Sequence, residues 1–137
     1  MKGILLDTHT WIWFMSGDKT LKASARKVID DHLKNSTTHI AAISCWEVAM
    51  LEAKNRITLS MPTTEWMEQS FKQSSINTVA LTPNIAYESC HLPNAFHGDP
   101  ADRLIVASAR IHDLQLLTRD KQILSYAKHG TLRVLAC

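Results

Sequence analysis

The chain predicts an α/β domain built on a parallel sheet of about five strands. Three observations carry this reading. Short apolar runs such as GILL, HIAAI and QLLT lack the alternation of a half-exposed strand, so they read as strands buried on both faces. Longer stretches with apolar residues at helical spacing lie between them, and strand–helix alternation is the pattern of βαβ units. Four acids sit where an apolar run gives way to a helix: Asp7 in GILLDTHTW, Glu47 in ISCWEVAM, Asp102 in GDPADRLIVASA and Asp120 in LLTRDKQIL. In an open parallel sheet, strand ends and helix starts share the edge where ligands bind.

Taken in order, Lys2–Leu6 reads as a first buried strand. Thr8 or Thr10 is expected to cap a short helix carrying Trp11, Ile12, Phe14 and Met15, ended by the turn at Ser16-Gly17-Asp18. Leu21, Ala25, Val28, Ile29 and Leu33 mark a helix from Leu21 to Leu33, and His39–Ile43 reads as the second strand. Ser44–Arg56 follows as a helix with Val48 and Leu51 on one face. Pro62 opens a helix over Thr63–Ser74, since proline is tolerated in a first turn. Thr78–Leu81 is a short strand and Pro83–Leu92 a short helix. Pro93–Gly98 is the longest loop signal. Asp99–His112 is a helix with Leu104, Ile105, Ala107, Ser108 and Ile111 on its buried face. Gln115–Thr118 is a strand, Lys121–Lys128 a helix and Leu132–Leu135 a last strand, with Gly130 between the final pair. No repeat, linker or low-complexity stretch interrupts residues 1–137, so one compact domain is expected.

With 137 residues, 45% hydrophobic and 20% charged, the chain is long and apolar enough for a core and is not of disordered composition. A formal net charge of +2 leaves any basic, nucleic-acid-binding surface to be local. Cys45, Cys90 and Cys137 are odd in number, widely spaced and without a CxxC, which fits a reducing cytosol better than a disulfide framework or zinc knuckle. The N-terminal apolar run is too short for a signal-peptide core or a membrane span, so a soluble, cytoplasmic protein with no membrane association is expected.

Each acid has an ordinary alternative role. Ser44-Cys45-Trp46-Glu47 matches the S-x-x-E capping box. Asp99-Pro100-Ala101-Asp102 is a good helix start, and Asp120 after Thr118 could cap as well. Asp7 ends a buried strand with Thr8 and Thr10 available as caps, which leaves its own carboxylate to be explained. Chance capping would not require acids from four separate segments to meet at one edge. Carboxylates gathered there need a cation, and hard divalent metals take oxygen ligands. Magnesium or manganese would lower the pKa of a bound water and neutralise a scissile phosphate, so phosphodiester hydrolysis is the expected chemistry. There is no G-x-S-x-G and no P-loop motif.

Other features are weaker. The seven histidines show no H-E-x-x-H and no i, i+4 pair; His9 and His97 fall near the expected pocket. Trp11, Trp13, Phe14, Trp46 and Trp66 favour core or interface packing over base stacking. Lys54 and Arg56 fit a helix C-terminus. Arg103 reads as half of a structural ion pair, and Arg119 and Lys121, flanking Asp120, favour RNA phosphate contact.

The stretches LLDTHTWIWF, ISCWEVAMLEAKNRITL, HGDPADRLIVASARIHDLQLLTRD and KQILSYA, in this order, resemble PIN-domain nucleases, in particular VapC-type toxins of toxin–antitoxin pairs. The resemblance covers nearly the whole chain. It implies a three-layer fold with the parallel sheet sandwiched by helices in strand order 3-2-1-4-5, and a magnesium-dependent endoribonuclease. By resemblance the catalytic acids are Asp7, Glu47, Asp102 and Asp120. Asp7 and Asp102 would be the principal metal ligands, while Glu47 and Asp120 would complete the shell through waters or hold a second ion. Asp99 is a helix cap first and an auxiliary acid second, and Thr118 orients Asp120 or caps. The family's further acid soon after the fourth is missing, since Lys121 and Gln122 follow Asp120.

Rival readings are a hydrolase with an aspartyl nucleophile, a receiver-like domain, a non-toxin RNA-processing nuclease and a PIN-like module that binds without cutting. The first wants D-x-D where Asp7-Thr8-His9 stands, and the second wants an early acidic pair that is absent. The partners the resemblance implies are an RNA substrate, a cognate antitoxin covering the acidic pocket, and a second copy in a homodimer. The dimer, like the antitoxin, is what the resemblance implies, with one physical hint beside it: the helices around Trp11–Phe14 and Trp46–Met50 carry many large apolar residues.

Overall fold

A computed structural model describes residues 2–137. Five strands, β1 (Ile4–Leu6), β2 (Thr38–Ala41), β3 (Asn77–Val79), β4 (Gln115–Thr118) and β5 (Val134–Ala136), form one sheet in the order β3-β2-β1-β4-β5. Every neighbouring pair is parallel, with Leu5 opposite His39 on one side and Leu116 on the other. The seven helices are α1 (Thr8–Ser16), α2 (Ala23–Lys34), α3 (Ala42–Ala53), α4 (Thr63–Gln73), α5 (Pro83–Cys90), α6 (Pro100–Ile111) and α7 (Lys121–Ala127).

Successive strand side chains point to opposite faces, so each strand feeds two cores. Ile4, Leu6, Ile40 and Leu117 pack with Trp11, Ile12, Ile29, Val48, Leu51 and Trp66 of α1–α4. Leu5, Ala41, Val79 and Leu116 pack with Ile85, Ile105, Val106, Ile123 and Tyr126 of α5–α7. The three layers and the strand order are those expected. The chain runs outward from β1 to β3, then returns to the other side of β1 to lay down β4 and β5. The order therefore reverses between β1 and β4, and the crevice beyond their C-terminal ends is where such sheets bind ligands.

Several local expectations are corrected, among them Ile111, which is exposed rather than on the buried face of α6. Neither Thr8 nor Thr10 caps α1; Asp7 does, accepting from the Thr10 amide. The chain also turns from β2 into α3 without a loop, so α3 starts at Ala42 rather than Ser44, behind Ala41, which makes no side-chain cap bond. Ser44 is buried inside α3 and Glu47 lies in its second turn, so the capping box does not form. Gly17 ends α1 in the left-handed conformation at φ 67°, which glycine adopts without penalty. Among the described residues no helix is long and apolar enough to cross a membrane.

Trp11 joins α1 to α4. It is fully buried, its ring centroid is 4.7 Å from Trp66 and 5.6 Å from Phe71, and its indole N–H donates to Ser70 at 3.2 Å. Trp11→Ala is expected to cost about 3–5 kcal/mol in urea denaturation, the range for emptying a large aromatic site. A loss under about 1 kcal/mol would show that this contact contributes little.

Candidate active site

Asp7, Glu47, Asp99, Asp102 and Asp120 line one cavity of about 340 Å³ at the C-terminal edge of β1 and β4. Thr8, His9, Trp13, Ile105 and Arg119 complete its wall. All four acids singled out in the sequence are thus brought together, with Asp99 added.

Each carboxylate reaches the cavity by a different local device. Asp7 leaves the end of β1, and its backbone N–H donates to Leu117 of β4 at 3.1 Å. One of its oxygens accepts from the Thr10 amide at 2.9 Å and the other from the Thr118 hydroxyl. Thr118 also accepts from the Asp120 amide at 3.0 Å, so one buried hydroxyl ties the two acids at the ends of β1 and β4. Thr118 therefore orients the Asp7 side chain and the Asp120 backbone. The Asp120 carboxylate caps α7 through the Ile123 amide at 3.0 Å.

Glu47 projects from α3 toward α1. It accepts from the Thr8 hydroxyl at 2.5 Å, and that hydroxyl lies 3.0 Å from the buried Ser44 Oγ. Asp99 caps α6, accepting from the Asp102 amide at 2.8 Å. The Asp102 carboxylate accepts no hydrogen bond among the described residues.

The electrostatics are one-sided. The ion pairs among the described residues are Lys2–Asp113, Arg110–Glu88 and Arg133–Asp113, so none of the five cavity acids is paired. Contrary to expectation, Arg103 forms no ion pair among the described residues. The Arg119 guanidinium donates to the carbonyls of Thr20 at 2.6 Å and Cys137 at 2.9 Å and lies over the Trp13 ring, which fixes it on the rim. Burial, reinforced by Asp99, Asp120, Glu47 and Asp7, pushes the Asp102 carboxyl up to about 7. Burial raises Glu47 as well, partly offset by the Thr8 hydrogen bond.

These residues fit a hard divalent cation by donor chemistry: an all-oxygen set, unpaired with protein cations, with Asp102 free to ligate. Among the described residues no three His, Cys, Asp or Glu side chains stand close enough to enclose an ion. His97 does not reach this cavity; it lines a neighbouring one with Lys121 and His129. No local motif marks Thr8 as more than a cap, because its bond to Glu47 crosses between two helices.

A model of the PIN domain matches residues 4–129. The chain is 37% identical over 128 residues to ribonuclease VapC22 of Mycobacterium tuberculosis, covering 92% of this chain and 93% of that protein. Among solved structures, VapBC2 from Rickettsia felis bound to a DNA fragment from their promoter aligns with TM-score 0.68 at 14% identity, covering 97% of each chain. A toxin–antitoxin complex from Klebsiella pneumoniae aligns with TM-score 0.60 at 21% identity over 97% of this chain and 96% of that one. FitAcB from Neisseria gonorrhoeae aligns with TM-score 0.61 at 19% identity over 96% of each. These structural matches share the fold.

The crowding has a stability consequence in metal-free protein. The folded-state value of Asp102, about 7, lies above its ordinary 3.8, so the folded state holds a proton that the unfolded chain releases between those values. Stability must therefore fall as pH rises from about 4 to about 7, and Glu47, also raised, adds with the same sign. Asp102→Asn in chelator at pH 8 is expected to raise Tm by about 3–5 °C, roughly 1 kcal/mol after solvent screening, and to flatten the pH dependence. An unchanged or lower Tm at pH 8 would contradict the repulsion.

Proposed function

The chain belongs to the PIN-domain family, and on that premise we propose that residues 1–137 act as one PIN-like domain, a divalent-metal-dependent endoribonuclease that is the toxin of a toxin–antitoxin pair in the cytoplasm. The observation that supports it most is the convergence of five unpaired carboxylates in one cavity at the β1/β4 switch point. The match to a named ribonuclease over most of both chains supports RNA as substrate.

Asp7 and Asp102 would hold the ion. Asp7 is fixed by Thr118 and Thr10, whereas Asp102 is held near neutral pH and offers unbonded oxygens. Bound magnesium or manganese supplies charge neutralisation and a lowered pKa for its water. Glu47, aimed by Thr8 and raised toward neutrality, is placed to accept a proton from water in the cavity. Asp120 spends one oxygen on its helix cap, leaving the other to bond water.

A groove of about 610 Å³ opens beside the acid cavity and shares Trp13 with it; Ile12, Met15, Ile57, Leu59 and Trp66 line it. Its apolar wall suits an antitoxin segment, from which a basic side chain would reach the carboxylates. Of the α1 aromatics expected to favour dimerisation, Trp11 is buried in the core and Trp13 and Phe14 are partly buried against it, whereas Trp46 stays 58% exposed and Tyr87 66% exposed. Those two rings support a homodimer.

In magnesium the purified protein is expected to cut single-stranded RNA internally, and chelator is expected to stop it. Asp7→Asn and Asp102→Asn should each lower the rate about 100-fold or more, as loss of several kcal/mol of charge stabilisation implies. Thr118→Val should cost about 10-fold through Asp7. Wild-type rates in either folded Asp variant would overturn the mechanism. Co-expression with the product of an adjacent antitoxin gene should yield a stable, inactive complex. Failure to co-purify would leave only the nuclease reading.

A further inference from the structure

A second cavity, of about 370 Å³, is lined from the same loop and the same helix start that carry Asp99 and Asp120, and it has the opposite character. Phe96 and Tyr126 are buried beside it, with ring centroids 4.9 Å apart, and His97, Lys121, Gln122 and His129 stand exposed around it. No acid lines it.

Both walls of this cavity run directly into the catalytic one. His97 lies two residues before Asp99, and Lys121 follows Asp120, so each side is separated from a cavity acid by one or two peptide steps of about 3.8 Å. The walls are also braced. The Tyr126 hydroxyl donates to the Pro93 carbonyl at 2.6 Å, pinning the loop that carries His97 to α7. Gly98 lets this loop pass over the Phe96 ring, since a Cβ there would collide with that ring.

We propose that this second cavity is a subsite for the nucleotide adjoining the scissile phosphate, a role that rests on the ribonuclease reading above. A strand whose phosphate sits among the carboxylates meets this cavity if it continues past Asp99 or Asp120. Lys121 supplies a permanent cation for the next phosphate. The exposed imidazoles of His97 and His129 offer π faces to a base, which stacks on aromatic rings whatever its identity. Gln122, an amide with donor and acceptor on one group, is the side chain placed to read the base edge. Acids line one cavity and a cation with rings lines the next, which are the groups a strand crossing both would meet in turn.

The test is steady-state cleavage of single-stranded RNA oligonucleotides in magnesium across a range of NaCl concentrations. All the altered side chains are exposed, so the variants should fold. Lys121→Gln combined with His129→Ala should raise KM about 10-fold with kcat nearly unchanged and make the salt dependence shallower by about one unit of slope. Gln122→Ala, which alters no charge, should change relative rates across oligonucleotides that differ only at the base next to the cut. Lys34→Gln, which removes an exposed lysine from α2 on the other side of the sheet, should match wild type. Wild-type cleavage with all variants retaining wild-type KM, salt slope and base preference overturns the subsite alone. A wild-type protein that cuts no RNA overturns the ribonuclease reading and the subsite with it.

Discussion

Five carboxylates facing one cavity, none paired with a lysine or arginine, repel one another, and the architecture around them consists of devices that hold them in place regardless. Asp7 and Asp120 are fixed through helix caps and the shared Thr118 hydroxyl, Glu47 through Thr8, and Asp99 through the start of α6. Asp102 alone has no such partner, and it is pushed furthest, to about 7. A fold optimised only for stability would place a cation or an apolar side chain here. A divalent ion bound here would offset the repulsion.

The sheet is what brings these acids from distant segments to one place. Its order reverses between β1 and β4, so the loops leaving those strands splay to opposite faces and open a crevice between them. Asp7 leads to α1 on one face, while Asp120 leads to α7 on the other. Thr118, buried at the end of β4, bonds to both, so the two halves of the site share one rigid anchor in the sheet. The second core, under α5–α7, extends the same edge into the ring-lined cavity beside the acids. Chemistry and the proposed strand path thus depend on the same reversal.

Much of this was legible in the sequence, for physical reasons. Strands buried on both faces leave unbroken apolar runs, so β1 and β4 stand out, and acids placed immediately after them mark the ligand edge. The errors fall where local signals have two meanings. Ser44 to Glu47 spells a capping box, yet the β2–α3 junction has no loop and the helix begins earlier, which frees Glu47 for the cavity. Asp7 ends a buried strand and marks the ligand edge, yet the same carboxylate also caps α1. The Thr8–Glu47 bond, the Arg119–Trp13 stack and the displacement of His97 into the neighbouring cavity arise from side chains meeting across elements. No spacing along the chain encodes them.

The most direct test of the account is calorimetric titration of the chelator-treated protein with Mn²⁺ near pH 6.5, repeated in buffers of different ionisation enthalpy to count protons released. With Asp102 raised to about 7, a bound ion must displace its proton, so saturable binding with release of roughly one proton is expected, and Asp102→Asn should weaken binding and abolish that release. Absence of saturable binding, or binding and proton release unchanged in the Asp102→Asn protein, would contradict the claim that these carboxylates are assembled to hold a metal.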